Sequence, residues 1–208
     1  MKFKKSMLLT ILATMTFSLS SQATEELKYS IVTEDKRIEV RDYESYVTAS
    51  VSYDSKDLYD KKAFRTLFRY ISGNNTLSQN IDMTAPVIIN DSTKIPMTAP
   101  VIINQNEEDS IFQMSFVLPS EFTYESAPKP LNREVILKEI QKSLKATIRF
   151  NGFMTKRAIE KNTRKLTSWI KNDGRFSIIS KPVLAGYNSP MTLPFLRRNE
   201  IIIEVEYK

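Results

Sequence analysis

The chain has 208 residues, 41% of them hydrophobic and 26% charged, with no cysteine and no histidine. That length suits one compact domain, or two small halves sharing a core. The missing residue types exclude disulfides, Ser-His-Asp and Cys-His catalysis, and zinc sites built on His or Cys.

The first 23 residues stand apart. Lys2, Lys4 and Lys5 precede a mostly apolar run from Met7 to Leu19, and Ser21-Gln22-Ala23 places small residues where a signal peptidase cuts. The segment reads as a secretory signal peptide, with an apolar run too short to span a bilayer comfortably. An exported protein, periplasmic or secreted, with no stable membrane anchor is therefore expected. The segment carries three lysines and no acid, so residues 24–208 hold 27 basic and 24 acidic residues, a net of +3. The basic pairs Lys61-Lys62, Lys156-Arg157 and Arg197-Arg198 are scattered among acids, which disfavours nucleic-acid binding. A monomer is expected.

In chain order, Tyr29–Val32 and Arg37–Arg41 read as short strands. Val47, Ala49, Val51 and Tyr53 alternate with Thr48, Ser50 and Ser52, the pattern of a half-buried strand. From Leu58 to Ile71 the period changes. Phe64, Leu67, Phe68 and Ile71 fall on one helical face, with Ser55 or Asp57 as the cap and Gly73 as a left-handed stop.

Next comes a near-exact duplication. IDMTAPVIIN (Ile81–Asn90) recurs fourteen residues later as IPMTAPVIIN (Ile95–Asn104), differing only at Asp82 and Pro96. Both copies read as extended segments. Pro86 and Pro100 belong at edges or bulges because proline donates nothing to a ladder. Phe112, Met114, Phe116 and Leu118 then alternate inward. Pro119–Pro130 reads as a long connection.

Val135–Leu144 fits a helix or a buried strand. Lys145–Phe150 alternates again. A second amphipathic helix spans roughly Thr155–Asn172, with Leu166, Trp169 and Ile170 as its apolar face and Gly174 as its stop. Phe176–Val183 and Glu200–Tyr207 are the last strands, the latter with Glu204 and Glu206 toward water. Strand, helix, extended segment and strand thus occur twice, in pseudo-repeats over about 29–118 and 131–207. Two such β-α-β-β units can bury their sheet faces together. The expected class is α+β: an antiparallel β-barrel or saddle with two helices packed on it.

Catalytic signals are poor. Ser168-Trp-Ile-Lys171 fits S-x-x-K, but its companion motifs are absent, as are phosphate loops. No enzyme is expected.

The chain resembles the SOUL haem-binding protein family. The likeness rests on IEVRDYESYVTASV (from Ile38), AFRTLFRYISG (from Ala63), the MTAPV motif that follows Asn75, FQMSFVLPSEFTYESAPKPLN (from Phe112), and AGYNSP with PFLRRNEIIIEV at the end. It implies a distorted antiparallel β-barrel over residues 24–208 and favours a strand at Val135–Ile140. It also implies non-covalent binding of haem or a related tetrapyrrole in an apolar cleft beside the first helix.

Carried onto this sequence, the cofactor-binding contacts implied are Lys61, Phe64, Leu67 and Phe68, faced by the loop Tyr187–Phe195 with Tyr187, Met191 and Phe195. Where some members place methionines on this helix, Phe64 and Phe68 stand here. A histidine ligand is impossible here, which leaves flat apolar stacking and propionate pairing. Met83, Met97, Met114, Met154 and Met191 are the methionines beyond the signal segment; each suits packing, and a thioether can also ligate iron. Arg197-Arg198-Asn199-Glu200 has two readings: propionate or partner contacts, or a structural cluster with one Arg on loop carbonyls and Glu200 paired inside. The alternatives to a tetrapyrrole are a module for another amphipathic small molecule, or a protein-interaction domain.

Overall fold

Period-two alternation runs through ten strands in the computed structural model, which describes residues 25–54, 60–91, 111–188 and 191–208. The segment read as a signal peptide, the cap candidates Ser55 and Asp57, and the second repeat copy with Met97 and Pro100 lie outside these residues. The strands are β1 (Tyr29–Asp35), β2 (Ile38–Tyr43), β3 (Tyr46–Asp54), β4 (Thr84–Asp91), β5 (Ile111–Val117), β6 (Ile136–Ile140), β7 (Ser143–Phe150), β8 (Phe176–Ile178), β9 (Val183–Gly186) and β10 (Asn199–Tyr207). Helix α1 spans Lys61–Ile71 and α2 spans Lys156–Asp173. The strand reading of Val135–Ile140 holds as β6. The single strand expected over Phe176–Val183 is two, β8 and β9, with Pro182 just before the second.

Both helices are delimited by their own caps. The Asp60 carboxylate accepts from the Ala63 N–H at 2.6 Å, so α1 starts later than the Leu58 expected. The Thr155 hydroxyl accepts from the Ala158 N–H at 3.2 Å, and Gly174, in the left-handed region, closes α2. Helix α1 lies over β3 and β5; α2 lies over β7, β8 and β10. One continuous core joins them, with Ala63, Leu67, Tyr70 and Ile71 from α1, Leu166 and Ile170 from α2, and inward residues of eight strands. Each such side chain contributes about 1.5–3 kcal/mol on burial.

All strands form one antiparallel sheet in the order β1-β2-β7-β10-β9-β4-β5-β3-β6, with β8 beside β10. The pairing is symmetric about the β4–β9 contact: β5, β3 and β6 follow on one side, and β10, β7 and β2 on the other. β6 and β7 are joined by only Gln141 and Lys142, yet do not pair. The sheet therefore curls back toward itself without closing, and the barrel closure expected from the resemblance is absent among the described strands. One face carries the helices. The other lines the inside of the curl, which is why Thr48, Ser50 and Ser115, expected to face water, are buried.

β4 is the first copy of the duplicated stretch. It sits between β5 and β9, not at an edge, and Pro86 occupies the register shift between Thr84 and Val87. The β9 pairing begins only at Val87, so the proline removes no donor from that ladder.

Candidate functional site

The helix-side face of the sheet carries one row of residues across six strands: Ala49, Phe116, Val87, Gly186, Asn199 and Phe150. Phe64 of α1 packs edge-on against Phe116, with centroids 5.2 Å apart. On the other side, the Met154 methyl lies 3.0 Å from where a Cβ on residue 186 would stand. Phe116 and Gly186 are two strands apart, roughly 10 Å. Between them lies the half-buried Val87, on the strip beside α1 where the resemblance implies a groove.

Helix α1 presents two edges. Leu67 has no exposed surface and belongs to the core, so it holds the helix down and offers nothing to a ligand. Phe64 and Phe68, one turn apart, stack with rings 12° from parallel and centroids 6.3 Å apart. Phe64 is half-buried and Phe68 is 48% exposed, so the pair carries aromatic surface from the core to solvent. Lys61, exposed, stands one turn before Phe64. These three residues share one side of the helix.

The opposite wall is assembled differently from the sequence expectation. Met191 and Phe195 are 91% and 68% exposed on the β9–β10 connection. That connection is tied to the approach of α2: the Asn151 amide donates to the Phe195 carbonyl at 3.2 Å and the Gly152 N–H to the Pro194 carbonyl at 2.9 Å. Tyr187 is not with them. It follows Gly186 in the strand and so turns to the inner face, where its hydroxyl donates to Glu200 at 2.7 Å and its ring lies under Arg198. Burial, then the nearby Glu200 charge, push the Tyr187 phenol well above its ordinary range. Among the methionines, Met114 is core, Met83 is partly exposed, and Met154 packs against the core beside Gly186.

The Arg197–Glu200 stretch takes the structural reading. The Arg197 guanidinium donates to the Thr192 carbonyl at 2.8 Å, and Glu200 lies inside, between Arg41 and Arg198. Sequence reasoning missed the Arg41 side of this cluster. It also missed Asn75, whose buried amide donates to Tyr70 and Gln79 carbonyls and accepts from the Leu77 and Gln79 N–H groups. Asn75 thereby fixes the turn that leads from α1 into β4. Ser168 and Lys171 lie exposed on α2. Among the described residues no group of three or more Asp and Glu side chains is placed to hold a metal. No helix among them is long and apolar enough to cross a membrane.

A family model described as SOUL heme-binding protein matches residues 24–93 and 89–204, two segments that overlap within the duplicated stretch. The chain belongs to the SOUL family. Among curated SOUL relatives, human heme-binding protein 2 is 29% identical over 165 residues, covering 78% of this chain and 75% of that one. Heme-binding protein 1 of Xenopus laevis is 24% identical over 168 residues, covering 78% and 80%. The SOUL fold here also resembles solved structures at low identity. The EcmrR C-terminal domain superposes with a TM-score of 0.56 at 12% identity, over 86% of this chain and 99% of that one. An uncharacterized conserved protein from Listeria innocua gives 0.58 at 11%, over 84% and 94%. At that identity the likeness is one of fold.

Proposed function

We propose that this chain is an exported protein that binds haem or a related tetrapyrrole reversibly in the groove beside α1, without histidine ligation. The observation that carries the reading is the Phe64–Phe68 stack, running from Phe116 in the core out to solvent. Phe68, 48% exposed, leaves about half of its ring for a ligand to cover. A flat apolar plate gains two aromatic faces, each such contact giving about 0.5–1.5 kcal/mol beyond area burial. Lys61 supplies a cation at the solvent edge for a propionate. Family membership and the names of both relatives support the same ligand class.

The residues present fit the plate and its carboxylates. They offer no imidazole; Met154 holds a thioether beside Gly186. When bound, a haem would bring its own redox and ligand chemistry. The chain's part is to bind, orient and shield one face. Oriented binding rather than catalysis is the role assigned.

The test is a hemin titration of the purified protein followed by absorbance. Saturable growth of a shifted Soret band at micromolar hemin is expected; an unshifted spectrum contradicts the reading. Export is checked by the intact mass of the protein recovered outside the cytoplasm. A chain beginning near Thr24 is expected, and an intact Met1 contradicts it.

A further inference from the structure

The curl of the sheet encloses a second space, on the face away from both helices. It is a cavity of about 380 Å³, at the small end of the range for small-molecule sites, roughly 300–1,000 Å³. Ile88, Ile140, Val183 and Ile202 give it apolar walls from four different strands. The Ser50 and Ser115 hydroxyls on the same wall bond each other at 2.9 Å.

Lys145 is the buried cation of this space, with its ammonium 6.0 Å from the centre of the Tyr43 ring. It is 8% exposed, faces this cavity from β7, and makes one hydrogen bond, to the Ser143 hydroxyl at 2.7 Å. An ammonium carries three donors. The nearest carboxylate, Glu204, is 3.8 Å away, past hydrogen-bond reach, and is itself 39% exposed. Burial lowers the Lys145 pKa, and Glu204 only partly offsets that. A methionine would fill the same volume without the desolvation cost. Lys138 and Lys181 also line the cavity, and neither enters an ion pair among the described residues. Three cations thus face one carboxylate.

We propose that this chamber is a second ligand site, separate from the α1 groove, for a small amphipathic acid. A compact apolar body lies against Ile88, Ile140, Val183 and Ile202, and a single carboxylate takes the open donors of Lys145. Lys138 and Lys181, both exposed, attract the acid at the mouth; Lys145 reads it inside. A charge-assisted bond in a dry site is about twice as strong as a neutral one, which gives acids their advantage over neutral analogues. This inference does not rest on tetrapyrrole binding.

Isothermal titration with three probes of one shape tests it: 1-naphthoate, neutral 1-naphthalenemethanol and cationic 1-naphthylmethylamine. The acid is expected to bind at least about tenfold tighter than the alcohol, one charge-assisted bond's worth. Lys145→Met, checked for native circular dichroism, removes that preference. Phe64→Ala with Phe68→Ala leaves it unchanged. Ile88→Trp, which fills the chamber and keeps Lys145, abolishes naphthoate binding. Tightest binding by the amine overturns the proposal by making Glu204 the reader. So does equal or absent binding of acid and alcohol, or naphthoate affinity that survives Lys145→Met or Ile88→Trp.

Discussion

Arg41 and Glu200 meet end-on inside the curl, Nη1 to Oε2 at 2.8 Å and Nη2 to Oε1 at 3.1 Å, with side chains 2% and 0% exposed. Arg198 and the Tyr187 hydroxyl complete the carboxylate's partners, and Arg198 reaches on to Glu26 near the start of the described chain. The pair joins β2 to β10 across β7 and ties the first strands to the last. Glu200→Gln keeps the shape but leaves Arg41 with only the part-buried Glu39, 2.6 Å from its Nε, as counter-charge. It is expected to cost about 3 kcal/mol, measured by urea unfolding, at the low end of losses for breaking a buried pair. A loss under about 0.5 kcal/mol would contradict this account of the cluster.

The same carboxylate sets an acid limit. Burial pushes the Glu200 carboxyl up, but the hydrogen bond and charge of Arg41, with Arg198, outweigh burial and hold it below the ordinary glutamate range. With the folded pKa depressed, the unfolded chain takes up the proton first as pH falls. The stability from this group is therefore fully present above the ordinary range, about pH 4.3, and is lost as pH drops through the folded pKa. Thermal midpoints of the wild type should fall more steeply below about pH 4 than those of Glu200→Gln. Parallel curves would contradict the assignment.

Much of this was readable from the residues and some was not. The strands over 47–53, 112–118 and 201–207 and the α2 limits follow from period-two and period-3.6 spacing, with Thr155 and Gly174 at the ends. Glu200 had a reading as a group paired inside the fold, but its partner Arg41, at the end of a short strand, had no such signal. Alternation reports that a strand has two faces; it does not report that the second face is rolled inside. The exchange of β2 and β6 between the two sides of the sheet is a long-range pairing with no local signal. In α1 the stripe of Phe64, Leu67, Phe68 and Ile71 was legible as apolar. Its split into a buried edge and an exposed one depends on where β3 and β5 lie beneath it.

That split predicts opposite phenotypes one residue apart. Leu67→Ala removes a fully buried side chain and is expected to destabilise by about 2–5 kcal/mol. Phe68→Ala, with its ring half in water, should cost under about 1 kcal/mol, in the range of surface substitutions. Denaturant midpoints decide the matter; comparable losses at the two positions would contradict the placement.

Lys145→Met should gain stability, by about 1 kcal/mol at neutral pH, since it removes a buried charge with incomplete partners. Burial depresses the folded pKa of this lysine, so the penalty is full below that value and fades as pH rises through it toward the unfolded value, about 10.4. The gain should shrink accordingly in alkaline solution. A destabilised Lys145→Met protein at neutral pH would contradict the account of Lys145 as a group kept for binding.

Gly174 closes α2 at φ +78°, with nothing within 4 Å of the position a Cβ would take. Gly174→Ala therefore pays only the backbone cost of the left-handed region, about 1 kcal/mol, read as a lowered thermal midpoint. An unchanged midpoint would contradict the cap.

The central claim is that the exposed flank of α1 is the tetrapyrrole surface. Its most direct measurement is hemin affinity of Phe64→Ala with Phe68→Ala beside the wild type, both verified as folded, by absorbance titration. The account predicts an affinity at least about tenfold weaker, matching the loss of two aromatic contacts of about 0.5–1.5 kcal/mol each. Equal affinity in the two proteins would remove α1 from the site.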